Sequence, residues 1–293
     1  MKKNLLIPVL LLILFSSPVF GDNSIVIKED GLVKLADGFS FTEGPAVDAE
    51  GNLFFTDQPN DRIMKWSVDN ELSVFFEGGR CNGLYFDDKG NLLACADNEN
   101  ELWSIRPDGS YTVLIDNYKE NKLNGPNDLW VHPSGIVFFT DPLYVRDYWA
   151  RSQEMQQEGE FVYFFCPEHK EIKPVITDLK KPNGIIGTSD GKLLYVADIG
   201  DSKTYVYDIQ PNGIPTNKHL FTKMGSDGMT LDKAGNVYLT GRGVSVFNPQ
   251  GEKIAHIPVS APWTANVTFG GKDRKTLFIT ASDALYAIEV NND

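Results

Sequence analysis

Apolar residues along this chain come as paired short runs that alternate with polar ones, each pair joined by a turn rich in Asp, Gly and Asn. Gly225–Thr240, GSDGMTLDKAGNVYLT, sets the pattern: an acidic residue before Gly228, a short strand, a tight Asp-Lys-Ala-Gly-Asn turn, and a second strand. Two alternating runs bounded in this way predict a β-hairpin. The same phrase begins at Glu43 (EGPAVDAEGNLFFTD), Asn82 (NGLYFDDKGNLLACAD), Asn127 (NDLWVHPSGIVFFTD), Asn183 (NGIIGTSDGKLLYVAD) and Asn266 (NVTFGGKDRKTLFIT). With Asp227 as the fifth start, the spacings are 39, 45, 56, 44 and 39 residues. Repeats of this length signal a solenoid, array or propeller, and a unit made of hairpins selects the propeller.

Each repeat has room for four strands. The first continues with Arg62–Ser67 and Ser73–Phe76, the second with Glu101–Ile105 and Tyr111–Ile115. The last has room for only three: Val267–Phe269, Thr276–Thr280 and Ala284–Val290. A strand near residues 32–36 has no hairpin partner and would supply the fourth, which locks the ring. The predicted fold is therefore all-β: a six-bladed β-propeller of four-stranded blades, closed by an N-terminal strand joining the C-terminal blade, over residues 22–293. Asp48, Asp87 and Asp232 open Gly-Asn turns and are read as turn formers, not calcium loops. The third repeat carries a long polar insertion, residues 142–160, with Tyr144, Tyr148 and Trp149 near its start. It is either a lid over the mouth of the ring or a surface excursion packed on the neighbouring blade.

Residues 1–21 stand apart. Lys2 and Lys3 precede an apolar run, Leu5–Phe15, too short to span a bilayer, and small residues at Val19 and Gly21 suit cleavage. A signal peptide and a periplasmic or secreted protein, free of the membrane after cleavage, are expected. Loss of the two lysines takes net charge from −13 to −15. That surface repels phosphate backbones, so nucleic acid is not an expected partner. A monomer is expected. Three cysteines, Cys81, Cys95 and Cys166, cannot all pair. Cys95 stands where other repeats carry core residues; whether it bonds Cys81 stays open.

In a propeller the innermost strand of each blade runs along a central channel, so six residues distant in sequence meet at one mouth. Here they are Glu43, Asn82, Asn127, Asn183, Asp227 and Asn266: two carboxylates and four amides. Oxygen donors with two negative charges suit Ca²⁺, Mg²⁺ or Mn²⁺ rather than Zn²⁺, which favours His or Cys. A single Asn or Asp before Gly is an ordinary strand-entry residue. Six in register are not, and Glu43 is a poor turn former.

The stretches FTEGPAVD, NGPNDLWVHPSGIVFFTDP, KPNGIIGTSDGKLLYVAD, SDGMTLDKAGNVYLT and NVTFGGKDRKTLFIT resemble the family of senescence marker protein, gluconolactonase and luciferin-regenerating enzyme, over about residues 31–290. The resemblance implies a six-bladed propeller with one divalent cation in the channel, Ca²⁺ first and Mg²⁺, Mn²⁺ or Zn²⁺ as alternatives, and lactone hydrolysis as the commonest activity. It places metal ligands on Glu43, Asn183 and Asp227, the proton acceptor and donor on Asp227, and a substrate or metal contact on Asn127. An Arg two residues before that Asn binds substrate in the animal members; here the position is Gly125, and Arg80 is the candidate replacement. Asn82, Asp141, Tyr144 and Trp149 complete the candidate substrate-contacting set.

The function expected is metal-assisted opening of a lactone, a sugar lactone such as gluconolactone first, with the metal polarising the carbonyl and Asp227 as general acid and base. The alternatives are a non-catalytic exported propeller that holds a sugar or peptide, and a phosphotriesterase-like hydrolase on the same scaffold.

Overall fold

A computed structural model describes residues 26–27 and 31–291; the expected signal peptide lies outside them. Six antiparallel sheets form a ring. Five are complete blades with strands in chain order. Blade 1 is Thr42–Val47, Leu53–Asp57, Arg62–Trp66 and Leu72–Glu77, and blade 2 is Leu84–Phe86, Leu92–Ala96, Glu101–Ile105 and Tyr111–Ile115. Blade 3 is Leu129–Val131, Val137–Asp141, Phe161–Cys166 and Glu171–Ile176. Blade 4 is Pro182–Gly187, Leu193–Asp198, Lys203–Ile209 and Pro215–Thr222, and blade 5 is Met229–Leu231, Val237–Gly241, Gly243–Phe247 and Lys253–Ile257. Thr264–Gly270, Thr276–Ala281 and Ala284–Asn291 begin blade 6. Val33–Asp37 completes it, pairing Val33 with Ala287 and Asp37 with Ala284. The ring is thus closed by hydrogen bonds between the two ends of the chain, as the short last repeat predicted.

One pairing was not foreseen. Val26–Ile27 also joins the last strand, through Val26 to Asn291 and Ile27 to Val290. Ala284–Asn291 is eight residues long and Val33–Asp37 five, so the far end of its edge is open to a second short partner.

The turns are built as their composition dictates. Asp48 Oδ1 accepts from the Asn52 amide and its Oδ2 from Asn52 Nδ2, both at 2.8 Å. Asp87 with Asn91 and Asp232 with Asn236 repeat this. These carboxylates form turns. The second strand of every blade is almost wholly buried, and aromatic pairs such as Phe54–Phe86 at 5.1 Å and Tyr238–Phe269 at 5.2 Å pack between sheets. Cys95 is a buried core thiol, and Cys81, Cys95 and Cys166 are all free.

The entry to the inner strands positions the site. In blade 2 the Cys95 carbonyl accepts from Asn82 N while Cys95 N donates to Gly83 O, so one residue faces two. Thr140 does the same with Asn127 and Asp128 in blade 3. Register shifts at Glu43/Ala46 and Pro182/Ile185 mark the same place in blades 1 and 4. Such bulges re-aim a side chain, and here they sit at the repeat-start residues. The Gly after four of the six starts allows the next blade to approach. A Cβ on Gly44 would overlap Asn82 O, one on Gly184 would lie 2.7 Å from Asp227 O, and one on Gly228 would overlap the Asn266 amide.

Candidate active site

The ring of inner strands gathers the predicted residues unevenly. Asn183 Nδ2 donates to Asp227 Oδ1 at 2.8 Å and to the Tyr144 hydroxyl at 2.9 Å. Trp263 Nε1 donates to Asp227 Oδ2 at 2.6 Å. Across the channel, Glu43 Oε2 accepts from Gly44 N at 2.8 Å and from Asn266 Nδ2 at 3.3 Å. Asn82 and Asn127 are buried at their ring positions, and the Asn127 carbonyl accepts from Gly83 N. Glu43, Asn183, Asp227, Tyr144 and Asn266 are therefore linked by contact or by charge, while Asn82 and Asn127 are placed beside them by the ring order of the blades.

The electrostatics is that of crowded buried acids. Burial first, then the negative charge of Asp227, pushes Glu43 well above the usual carboxylate range. Burial also raises Asp227, against the hydrogen bonds from Trp263 and Asn183 and the positive charge of Arg146. Two buried carboxylates that resist ionising together could share a cation. Asn183 Oδ1 points the same way: it is buried and has no hydrogen-bond partner among the described residues. Leaving such an acceptor unsatisfied costs about 1–3 kcal/mol, and a hard cation would satisfy it. Among the described residues no three His, Cys, Asp or Glu side chains gather around one point. The donor set that fits a cation is two carboxylates plus amide oxygen, which suits Ca²⁺ better than Zn²⁺.

The other candidates divide. Tyr144 reaches the site through Asn183. Trp149 is 7% exposed and turns inward, its Nε1 donating to Asp97 Oδ2 at 3.3 Å. Asp141 spends both carboxylate oxygens on the backbone amides of Asn124 and Gly125, at 3.0 and 2.9 Å, which ties down the loop entering blade 3. Arg80 donates to Pro59 O and stacks on Tyr148 at 4.4 Å. It does not fill the space beside Gly125; Arg151 does, with Nη2 only 2.9 Å from where a Cβ on Gly125 would stand.

Two residues at the channel escaped the sequence reading. Trp263 lies in the segment before the last repeat, where spacing says nothing about direction. Asp128 stands where four of the repeats carry Gly, and that break in the pattern was a visible signal. Its Oδ1 accepts from Leu129 N at 2.9 Å and its Oδ2 from Ile185 N of the next blade at 3.4 Å. It lines a cavity of about 290 Å³ on the far side of the ring residues, with Leu84, Ile185, Met229 and Val267.

Burial pushes the Asp128 carboxyl up to about 7, against those hydrogen bonds. Its native pKa is therefore above its unfolded one. The stability it confers is complete below about pH 4 and is lost as pH rises through about 7. In chelator, the melting temperature of Asp128→Asn relative to wild type should then be higher at pH 8 than at pH 5 by at least about 2–4 °C. Thermal unfolding at the two pH values checks this; an unchanged difference would mean that Asp128 is ionised across the range.

The SMP-30/Gluconolactonase/LRE-like region matches residues 41–283 of the chain. Gluconolactonase from Zymomonas mobilis is 29% identical over 279 residues, covering 85% of this chain and 78% of that protein. The solved structure of a gluconolactonase from Xanthomonas campestris superposes with a TM-score of 0.83 at 26% identity, covering 89% of each chain. A calcium-binding protein, regucalcin, from Agrobacterium tumefaciens shares the fold alone, with a TM-score of 0.74 at 20% identity over 90% of this chain and 95% of that one. Six closed blades, a match over most of their length, and a carboxylate–amide ring at the channel mouth lead to one assignment: this chain belongs to the SMP-30/gluconolactonase/LRE-like family.

Proposed function

We propose that this chain is an exported, divalent-metal-dependent lactonase acting on a small sugar lactone, gluconolactone being the first candidate. The observation that carries the reading is the clamp on Asp227. Trp263 Nε1 and Asn183 Nδ2 hold its two oxygens, beside the buried Glu43 and the unpartnered Asn183 Oδ1. Glu43, Asn183 and Asp227, with Asn127 in reach on the ring, would hold the cation. When bound, the cation would supply Lewis-acid polarisation of the carbonyl and neutralise the paired carboxylates.

The remaining chemistry belongs to the side chains. Asp227 takes a proton as water oxygen bonds to the carbonyl carbon, and returns it to the ring oxygen as the C–O bond breaks, giving an open-chain hydroxy acid. Burial makes Asp227 a better base than a solvent-exposed carboxylate, and the two N–H donors fix its plane. Tyr144, tied to Asn183, narrows the mouth over the reacting group.

The test strips the protein with chelator and resupplies Ca²⁺, Mg²⁺, Mn²⁺ or Zn²⁺. Base uptake on sugar and aliphatic lactones is followed in a pH-stat, and melting temperature in parallel. Turnover should vanish on stripping and return with one of the first three ions. Saturating metal should raise the melting temperature, because it binds only the native ring. Metal-stabilised protein with no turnover on any lactone would favour the non-catalytic binding propeller, and turnover of phosphotriesters alone the third alternative. Appearance of the protein in periplasmic or culture fractions tests export.

A further inference from the structure

One corner of the channel mouth is built differently from its equivalents. Asp57, Asp141 and Asp198 each end the second strand of a blade, and each accepts from two backbone amides of the loop that precedes the inner strand. Asp97 holds the same place in blade 2 and takes side chains instead. They are Gln58 Nε2 at 3.2 Å, Trp149 Nε1 at 3.3 Å and Arg151 Nη2 at 3.2 Å, with Arg146 Nε 3.9 Å away. Gln58 follows the second strand of blade 1, and the other three come from the insertion, 142–160, which is therefore strapped across the mouth.

Two guanidinium groups face the Asp97 carboxylate, with the buried Asp141 also acting on Arg151, and a third, Arg80, has no ion pair among the described residues and lies over the Tyr148 ring at 4.4 Å. Arg146 sits 5.3 Å from the Tyr144 ring, whose hydroxyl takes the Asn183 amide, and its charge is felt by Asp227. Three arginines thus gather at one corner of the mouth in a protein whose net charge is −13. Hydrogen bonding is short of acceptors in the same place. Arg146 Nε, Arg151 Nε, Arg151 Nη1 and the Tyr148 hydroxyl are all buried without a hydrogen-bond partner among the described residues. Each such donor costs about 1–3 kcal/mol. A strap that served only to cover the blade would be worse off with these groups than with apolar ones. Gly125 fits the same picture: a Cβ there would overlap Asp97 Oδ1 and crowd Arg151 Nη2, so its bareness makes room for this guanidinium two residues from Asn127.

We propose that the mouth is a subsite for a second anionic group, a carboxylate or phosphate carried by the lactone away from its ring carbonyl, held by Arg146 and Arg151 with the Tyr148 hydroxyl. Guanidinium forks match both groups in geometry and charge. Between Tyr144 and Arg151 the insertion holds no strand, only a turn closed by Trp149 N on Arg146 O at 3.1 Å. This rests on the lactonase reading for the bond that breaks, not for the anion site itself.

The experiment uses the full, metal-loaded chain in two arms. The binding arm compares gluconate, glucarate and 6-phosphogluconate by calorimetry; all three carry the same first carboxylate, so any excess belongs to the second anion. Glucarate or 6-phosphogluconate should bind at least tenfold tighter than gluconate, with affinity that falls as salt rises. Whichever wins identifies carboxylate or phosphate as the group. The kinetic arm compares gluconolactone with its carboxylate- and phosphate-bearing counterparts and expects a KM at least tenfold lower for the matching anion. Arg146→Gln and Arg151→Gln should each shrink both ratios toward one. Should Arg151→Gln fail to fold, with Asp97 left unpaired, Arg146→Gln carries the test. Equal binding of all three acids by the wild type, or ratios that survive both substitutions, would overturn the proposal. Selective, arginine-dependent binding without turnover of any lactone would keep the subsite and remove the lactonase reading.

Discussion

Asp227→Asn will lower kcat on the best lactone by about 10³-fold or more, while the chelated protein melts at the wild-type temperature or above it. The two halves of this expectation have one cause. Asp227 is a carboxylate kept out of water beside Glu43, and burial raises both. Removing one charge relieves that repulsion, so at neutral pH the metal-free fold gains stability. Asn keeps one oxygen acceptor for Asn183 Nδ2, at 2.8 Å in the wild type. Trp263 is 38% exposed, so its N–H can turn to water. The site loses the group that moves the proton, a role worth about 10²–10⁴-fold, and one of the two charges that would hold the cation. A site that is strained so that it can react, and relaxes when disabled, shows the usual trade between stability and activity. Kinetics and melting curves on the same preparation check this. Normal turnover would remove Asp227 from the reaction, and a lower melting temperature in chelator would mean that its hydrogen bonds outweigh its charge.

How much of this was legible depends on what period and composition can encode. Hairpin alternation recurs six-fold, three times around an Asp-x-x-Gly-Asn turn, so the blades and the closing strand near residue 33 could be read directly. The same phase placed Glu43, Asn183 and Asp227 on one ring; Asn183 and Asp227 are in hydrogen-bond contact, and the negative charge of Asp227 acts on Glu43. Phase fails where a residue leaves the repeat. Trp263 and Arg151 come from connecting segments whose direction is set by packing, and no spacing rule reaches them. Phase also misleads where one position is reused. Asp97 and Asp141 look alike in sequence, yet Asp141 ties backbone amides and Asp97 anchors the strap. Trp149, in a polar insertion, is buried against the neighbouring blade 2, where Asp97 gives its indole N–H a partner.

The ring itself is the second place where one atom decides a large effect. Gly44→Ala will cost about 3 kcal/mol or more and lower the melting temperature by about 5–10 °C. The backbone there has φ of +46°, which an L-residue adopts only at some cost, and the added methyl would overlap the carbonyl oxygen of Asn82 and lie 2.9 Å from its carbon. That neighbour cannot swing aside like a side chain. It is the backbone of the next blade, pinned by Thr56 Oγ1 donating to the same oxygen at 3.1 Å and by Asn82 N donating to Cys95 O at 2.8 Å. Blades 1 and 2 must part at the channel, and Glu43 moves with them. Gly90→Ala separates this from the conformational cost alone. Gly90 has φ of +79° in a blade turn with nothing within 4 Å of the new methyl, so only about 1–2 kcal/mol should be lost. Melting curves with and without Ca²⁺ decide the matter. Gly44→Ala should lose most of the stabilisation that Ca²⁺ gives the wild type, and Gly90→Ala none of it. Equal losses in the two variants would mean that the blades are not held in contact through the bare α-carbon of Gly44, and that the placement of Glu43 does not depend on it.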